Sequence, residues 1–181
     1  DQVLDFGCGV GGMLPELAKI TEHVEGLEVN PAAAAVARER GFEVHPGLEQ
    51  IPADRKYDVA VSNHVLEHIR DVCGTLESLR AFIRPGGLFV TKLPIDDIRR
   101  SHQRGWSRDD TDHHLQTWTP RLFANVLSEA GYEPQELRII TSAWDPRLFK
   151  LRKVGLDRLA FRALAVVQAR RQLFAVGKVP A

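Results

Sequence analysis

A glycine-rich turn near the start of the chain carries the sharpest chemical signal. Residues 5–12 read Asp-Phe-Gly-Cys-Gly-Val-Gly-Gly and lie between a predicted strand and a predicted helix. Glycines at such a turn permit positive φ and let a ligand touch the backbone closely, and the start of the helix adds free N–H groups. Glu28 ends the second predicted strand, at the separation typical of an acid that binds a ribose hydroxyl.

The glycine spacing by itself fits two classes of protein. Gly7, Gly9 and Gly12 satisfy the Gly-x-Gly-x-x-Gly pattern, which suits a dinucleotide-binding dehydrogenase equally well. Asp5, two residues before the first glycine, bears on the choice. A carboxylate there would crowd a pyrophosphate but would suit a cationic amino group. Asp5 therefore disfavours a dinucleotide site. Because the glycine spacing alone fits both classes, an NAD(P)-dependent oxidoreductase is kept as the alternative.

A histidine pattern follows the fourth predicted strand. His64 to His68 spells His-x-x-Glu-His, which is known from zinc proteases. On a helix its two histidines would share a face and could bind zinc, but zinc would also need a third protein ligand. We therefore expect no metal here, and we expect His68 to order the loop through hydrogen bonds.

The elements that must position these residues alternate between strand and helix. Val3–Phe6 and Tyr57–Ser62 are short, apolar and typical of buried parallel strands. Pro31 to Gly41 has the proline-first, glycine-last chemistry of a helix. Further strands are predicted near residues 23–29, 42–45, 88–93, 134–141 and 173–179, and further helices near 13–20, 72–83, 119–130 and 156–171. This alternation predicts an α/β fold.

In combination, these features resemble a known family. The segments that carry the resemblance are VLDFGCGVGG, GLEVNP, YDVAVSNHVLEH, LRAFIRPGGLFV and DHHLQTWTPRLFANVLSEAGYEP. In that order, residues 2–140 resemble the class I S-adenosylmethionine-dependent methyltransferases of the broad small-molecule group. The resemblance implies a doubly wound, Rossmann-like sheet of about seven strands with helices on both faces. The sheet would be mostly parallel, with one antiparallel edge strand supplied by the last predicted strand.

The resemblance also implies S-adenosyl-L-methionine as the cofactor and gives roles to matching positions. The methionine part would be held by Asp5 and the loop residues Gly7, Cys8, Gly9 and Gly11. Glu28 would accept hydrogen bonds from the ribose hydroxyls, and Val29 would pack near the adenine. Asn63 and His64 would line the cofactor near the sulfonium.

One departure from the family concerns the adenine contact. Residues 47–52 match the stretch that meets adenine, and relatives often have an aspartate in place of Gly47. We expect the Leu48 backbone and Glu49 to make this contact instead.

His113 and His114 are the candidate catalytic residues. They lie in the polar stretch after the fifth predicted strand, and ligands of doubly wound sheets bind at the carboxyl ends of strands. Histidine has a pKa near neutrality and could remove a proton from a hydroxyl or amine acceptor. A histidine that only orders the loop through hydrogen bonds is the open alternative.

The chain is interpreted as a single methyltransferase catalytic domain over residues 1–181. Because it opens directly on a strand and a glycine loop, we expect a helix to precede it. Residues 95–118 are polar and predicted to form a substrate lid loop, and residues 142–172 a basic helical insertion before the last strand. From Arg147 to Arg171 there are eight Lys or Arg against Asp157 alone. We expect a solvated basic helix face, with contact to an anionic substrate, peripheral contact with a membrane surface or contact with a partner as the alternatives.

Composition narrows the function further. The 181 residues are 44% hydrophobic and 27% charged, which fits one domain with a substantial core. A formal net charge of zero argues against nucleic acid as a partner, because sequence-independent binding needs a basic excess. Cys8 and Cys73 suggest neither a disulfide framework nor a zinc knuckle, so a reducing, cytoplasmic location is expected. No apolar run is long enough to span a membrane.

We therefore expect methyl transfer to an oxygen or nitrogen of a polar small molecule, such as a sugar or another secondary metabolite. The charged lid motivates the polar acceptor. Because a sulfonium is already activated, the protein mainly supplies alignment and no base is obligatory. A non-catalytic adenosylmethionine-binding module is a further alternative.

Overall fold

The structure, a computed structural model, describes residues 1–95, 107–110, 113–141, 155–156, 159–161, 163–164 and 171–181. Its strands are β1 (Gln2–Phe6), β2 (His23–Leu27), β3 (Glu43–His45), β4 (Tyr57–Asn63), β5 (Ile83–Ile95), β6 (Glu133–Thr141) and β7 (Arg171–Lys178). Its α-helices are α1 (Leu14–Leu17), α2 (Pro31–Glu39), α3 (Val72–Arg80) and α4 (Pro120–Glu129), and short 3-10 helices cover Leu48–Gln50 and Leu66–His68.

Within these described ranges, seven strands form one sheet in the order β3-β2-β1-β4-β5-β7-β6. Strands β1 to β5 pair in parallel, and β7 runs antiparallel to both β5 and β6. The predicted Rossmann-like fold is confirmed, with the antiparallel strand β7 lying next to the outermost strand β6. The strand order reverses between β1 and β4, and in such sheets ligands bind beyond the carboxyl ends of the strands at that point.

The core lies on both faces of the sheet. The larger cluster of buried side chains includes Leu4, Phe89, Phe123 and Leu173, and a smaller cluster packs α2 against β3. Burying a large apolar side chain of this kind contributes about 1.5–3 kcal/mol relative to leaving it exposed. The strands that carry the site are therefore held rigidly from both sides.

Side-chain caps fix the start of α4. Thr119 accepts a hydrogen bond from the Leu122 N–H, and Pro120 occupies the first helical position. Trp118 is buried and meets Phe123 edge to face, with ring centroids 5.2 Å apart. This contact is a hydrophobic staple, which sets the angle at which the chain enters a helix.

A buried polar network joins β2, β3 and β4. The Glu25 carboxylate accepts a hydrogen bond of 2.6 Å from the Tyr57 hydroxyl and lies 2.8 Å from Nε2 of His45. Arg55 lies 3.3 Å from the same carboxylate. Burial raises the pKa of Glu25, but the two hydrogen bonds and the Arg55 charge outweigh it and leave the pKa below its ordinary value. The carboxylate is therefore ionised and satisfied, as a structural rather than a ligand-binding group.

The start of β5 differs from the sequence interpretation. A helix was predicted through Ile83, but α3 ends at Arg80 and β5 already begins at Ile83. Gly86 has φ +79, and a Cβ on Gly87 would lie 2.8 Å from the Asp58 carbonyl oxygen. The Pro-Gly-Gly segment therefore forms an irregular start of the strand itself.

Two predicted segments fall largely outside the described residues. These are most of the lid loop at 95–118 and most of the basic insertion at 142–172, including the proposed membrane-contact stretch at 147–171. Residues 159–161 and 163–164 are helical. Among the residues that the structure describes, no helix is long and apolar enough to cross a membrane.

Candidate functional site

The candidate site lies where β1, β2 and β3 end. The Leu27 carbonyl oxygen accepts hydrogen bonds from Gly7 N at 2.8 Å and from Cys8 N at 3.0 Å. The next residue, Glu28, donates its own N–H to the His45 carbonyl oxygen at 2.9 Å. These bonds hold the glycine turn, the end of β2 and the end of β3 at one edge of the sheet.

Positive φ angles show why the turn needs glycine. Gly7, Gly9 and Gly11 have φ of 78°, 55° and 75°, a region that other L-residues enter at a cost of roughly 1–2 kcal/mol. A Cβ on Gly7 would overlap a methyl of Val65, whereas one on Gly9 would meet nothing within 4 Å. The space beside Gly9 is thus open for a ligand to approach the backbone.

Glu28 sits directly beside this turn. Its Oε2 accepts a hydrogen bond from Gly9 N at 2.9 Å, and its Oε1 accepts one from Asn30 N at 2.8 Å. Each carboxylate oxygen can accept a second bond. The side chain is therefore fixed in place and still able to accept hydrogen bonds from two vicinal hydroxyls.

Asp5 is the buried acid of the site. Its side chain is only 2% exposed, and Oδ2 has no hydrogen-bond partner among the described residues. Burial, and then the negative charge of Glu28, raises the pKa of Asp5 to about 7. A cationic donor would fill the vacant acceptor position and restore the charged form.

The other predicted cofactor residues lie at the same edge in different environments. Val29 is 72% exposed just beyond β2, and Leu48 packs partly against the core. Glu49 and Asn63 are exposed. Their predicted contacts to the adenine and the sulfonium stay predictions.

Cys8 contributes to the turn through its backbone. Its thiol is buried in the α2 cluster, 2.7 Å from where a Cβ on Gly26 would stand. Burial, and then the charges of Asp5 and Glu28, raises the pKa of the thiol to about 12. The thiol is therefore protonated at neutral pH, and a ligand contact at this position would use main-chain atoms.

A second group of polar side chains follows β4. His64 has φ 58 and donates its N–H to the Lys92 carbonyl oxygen at 3.0 Å, and its Nε2 lies 2.9 Å from Nε2 of Gln172. A non-glycine residue at positive φ next to a ligand edge is a frequent mark of a functional position. The predicted site residue His64 thus lies beside Asn63, at the end of the strand adjoining β1.

Glu67 is the residue at this edge to which sequence reasoning gave no role. It has no exposed surface, and neither carboxylate oxygen has a hydrogen-bond partner in the described part of the chain. His64 Nδ1 lies 3.4 Å from Glu67 Oε1, and His68 Nε2 lies 4.0 Å from it. The turn here is a 3-10 helix, so the two histidines flank the carboxylate instead of sharing an α-helix face.

The last residues of the predicted lid loop return to this turn. Leu115 donates its N–H to the Glu67 carbonyl oxygen, and the Gln116 side-chain amide donates to the Ile69 carbonyl oxygen, both at 2.8 Å. The rings of His114 and His68 meet edge to face with centroids 5.1 Å apart. His114 therefore joins the group around Glu67.

His113 differs from its neighbour in sequence. Its side chain is exposed, its φ is 43, and it lies outside the group around Glu67. The assignment of His113 and His114 as a base stays a prediction. Of the two, His114 is the one that the fold brings to the end of β4.

Comparison with known proteins adds independent findings. A family model described as a methyltransferase domain matches residues 1–137. The ubiquinone biosynthesis O-methyltransferase of Aromatoleum aromaticum is 32% identical over 159 residues, which cover 75% of this chain and 65% of that protein. The chain spans between 52% and 65% of the length of the first four curated relatives that it matches.

Solved structures with the same fold include two further methyltransferases. One is a chain of the Haloferax volcanii complex between the Trm112 methyltransferase activator and a methyltransferase. It has a TM-score of 0.72 and 21% identity, over 100% of this chain and 83% of that chain. The other is Haemonchus contortus phosphoethanolamine N-methyltransferase 2, in complex with S-adenosylhomocysteine and a phosphomonomethylethanolamine. It has a TM-score of 0.71 and 14% identity, over 100% and 49% of the two chains.

Proposed function

Because the chain belongs to the class I S-adenosylmethionine-dependent methyltransferases, we propose that it methylates a hydroxyl oxygen of a polar small molecule. The reaction is an in-line displacement in which the acceptor oxygen bonds to the methyl carbon, the sulfonium leaves as a thioether, and the hydroxyl proton is lost. Oxygen is favoured over nitrogen because several of the curated relatives are named ubiquinone biosynthesis O-methyltransferases. A sugar or another secondary metabolite remains the proposed acceptor class.

One observation carries the proposed cofactor site: two carboxylates flank a single glycine turn. The vacant Oδ2 of Asp5 would accept a hydrogen bond from the ammonium of the methionine part. The Glu28 carboxylate, already held by two backbone N–H groups, would accept from the ribose hydroxyls. The open space at Gly9 would let the ligand lie against the backbone.

A cofactor held in this way would point its transferable methyl group toward the end of β4. Asn63 and His64 are there, and the turn around Glu67 lies directly beyond them. The protein's main contribution would be alignment, which can supply on the order of 7–11 kcal/mol when an acceptor is held at attack distance. The same edge would thus hold the acceptor oxygen.

Calorimetric titration with S-adenosylhomocysteine tests the cofactor site. Asp5→Ala and Glu28→Ala should each abolish measurable binding, because each removes an acceptor for a group that would otherwise be desolvated without a partner. Asp54→Ala and Glu22→Ala remove exposed carboxylates away from the site and should bind like the unchanged protein. Unchanged affinity in the first pair would remove the assignment.

Transfer of a labelled methyl group to a panel of acceptors tests the reaction. Matched hydroxyl and amine compounds should give product only at oxygen, and methylation confined to amines would refute the choice of atom. Turnover also separates an enzyme from a module that only binds the cofactor. A fluorescence titration with NADH should show no binding, and saturable binding would favour the oxidoreductase alternative.

A further inference from the structure

Glu67 is a buried carboxyl group without a hydrogen-bond partner in the described part of the chain. An ionised carboxylate taken out of water is destabilising by several kcal/mol unless cations or hydrogen-bond donors surround it. Among the described residues, neither oxygen of Glu67 accepts a hydrogen bond. The groups that face it are imidazoles, and His64 and His68 approach the same oxygen from two sides.

His114 supplies the ligand that the sequence pattern lacked. One ligand atom each from Glu67, His68 and His114 lie within 4.8 Å of one another. Ligand atoms around a metal at about 2.0–2.2 Å stand roughly 3–4 Å apart, so a small movement of the side chains would close this set. The expectation of no metal considered His64 and His68, a pair without a third ligand, whereas the fold brings His114, 46 residues beyond His68, to Glu67 and His68.

We propose that Glu67, His68 and His114 bind one divalent transition-metal ion beside the end of β4. Two imidazoles and one carboxylate suit Zn²⁺ or a similar first-row ion, whereas Mg²⁺ prefers an all-oxygen set. The ion neutralises the buried carboxylate. It also ties the last residues of the predicted lid loop to the turn that follows β4.

The location gives the ion a role in the reaction. The His68 side chain is 46% exposed, so the set is open on one side, as catalytic metal sites are. A hydroxyl bound in an open position would lose its proton more readily, because a bound divalent cation lowers the pKa of a coordinated hydroxyl. This role rests on the proposed function, whereas the binding of the ion does not.

Equilibrium dialysis of metal-stripped protein against Zn²⁺, with Co²⁺ absorption spectroscopy as a second readout, tests the site. One equivalent should bind, and the Co²⁺ spectrum should show visible bands of a four- or five-coordinate site. His114→Ala and Glu67→Gln should weaken binding by at least the roughly 10–100-fold that loss of an outer-shell partner causes. His113→Ala and His23→Ala, which remove exposed histidines outside the set, should leave it unchanged.

Three results would overturn the proposal: no stoichiometric binding, equal affinity in His114→Ala, or binding of Mg²⁺ with none of Zn²⁺. The first would mean that the fold accommodates the buried Glu67 carboxyl without a metal ion. Because Glu67→Gln alters a buried side chain and could disturb folding, His114→Ala at the half-buried His114 provides the second variant.

Titration with S-adenosylhomocysteine on the same samples separates the metal-site proposal from the proposed function. Intact cofactor binding without metal refutes only this inference, and metal binding without cofactor binding refutes only the proposed function.

Discussion

Cofactor binding should release a proton from Asp5. In the free protein, burial and the Glu28 charge hold the pKa of Asp5 at about 7, so at about pH 6 roughly nine in ten molecules carry a protonated Asp5. An ammonium beside the carboxylate favours the charged form and lowers this pKa. Binding at about pH 6 should therefore release roughly 0.9 proton and be about tenfold weaker than it is once Asp5 is ionised.

Calorimetry in two buffers of different ionisation enthalpy measures this proton directly. The difference in binding enthalpy, divided by the difference in buffer enthalpy, gives the number released. Affinity should rise from about pH 6 to about pH 7.5 as Asp5 ionises, and fall again only at the more alkaline pH at which the amino group of the ligand loses its own proton. Asp5→Asn keeps the shape and removes the titration. Buffer-independent enthalpy at about pH 6, or the same proton release in Asp5→Asn, would refute the reasoning.

The same carboxyl links stability to pH. Its folded-state pKa is raised above the ordinary value of 3.8. The protonated Asp5 carboxyl therefore stabilises the folded state fully below pH 3.8, and this stabilisation is lost as the pH rises through about 7. The loss is on the order of 4 kcal/mol for a shift of this size. In urea unfolding of the unliganded protein, Asp5→Asn should be more stable than the unchanged protein at about pH 8, with little difference near pH 4. A destabilised Asp5→Asn at about pH 8 would contradict this account.

Two pairs of substitutions test the backbone and the buried network by urea unfolding. Gly7→Ala combines a positive φ with a steric overlap and should lose about 2–5 kcal/mol. Gly12→Ala has neither problem, and its free energy of unfolding should stay within about 0.5 kcal/mol of that of the unchanged protein. Equal losses in the two variants would contradict the requirement for glycine at position 7. Tyr57→Phe removes a hydrogen bond to the charged Glu25 and should lose about 2 kcal/mol. Tyr132→Phe removes one to a neutral carbonyl and should lose about 1 kcal/mol, so the reverse order would refute the role given to the network.

Local chemistry made much of the fold and the geometry of the glycine turn predictable. The glycine turn and Glu28 are readable because a positive φ demands glycine and because the turn follows directly from a buried strand. The start of α4 at Thr119 and Pro120 follows from cap chemistry within a few residues. In each case the residues that decide the structure are neighbours in sequence.

The group around Glu67 was not predictable in the same way. Glu67 and His114 are 47 residues apart, and hydrogen bonds made by Leu115 and Gln116 bring their segments together. Nothing in the composition of the turn indicates that its glutamate is buried and its histidines are not. Cys8 shows the same limit on a smaller scale, because only the fold turns its thiol toward α2.

A crystal structure with S-adenosylhomocysteine tests the central claim most directly. The account predicts one ligand in the space beside Gly9, with the amino group of its amino-acid part within hydrogen-bond distance of Asp5. Both ribose hydroxyls should donate to the carboxylate of Glu28. A ligand bound elsewhere on the sheet, or one that contacts only one of these two acids, would contradict it.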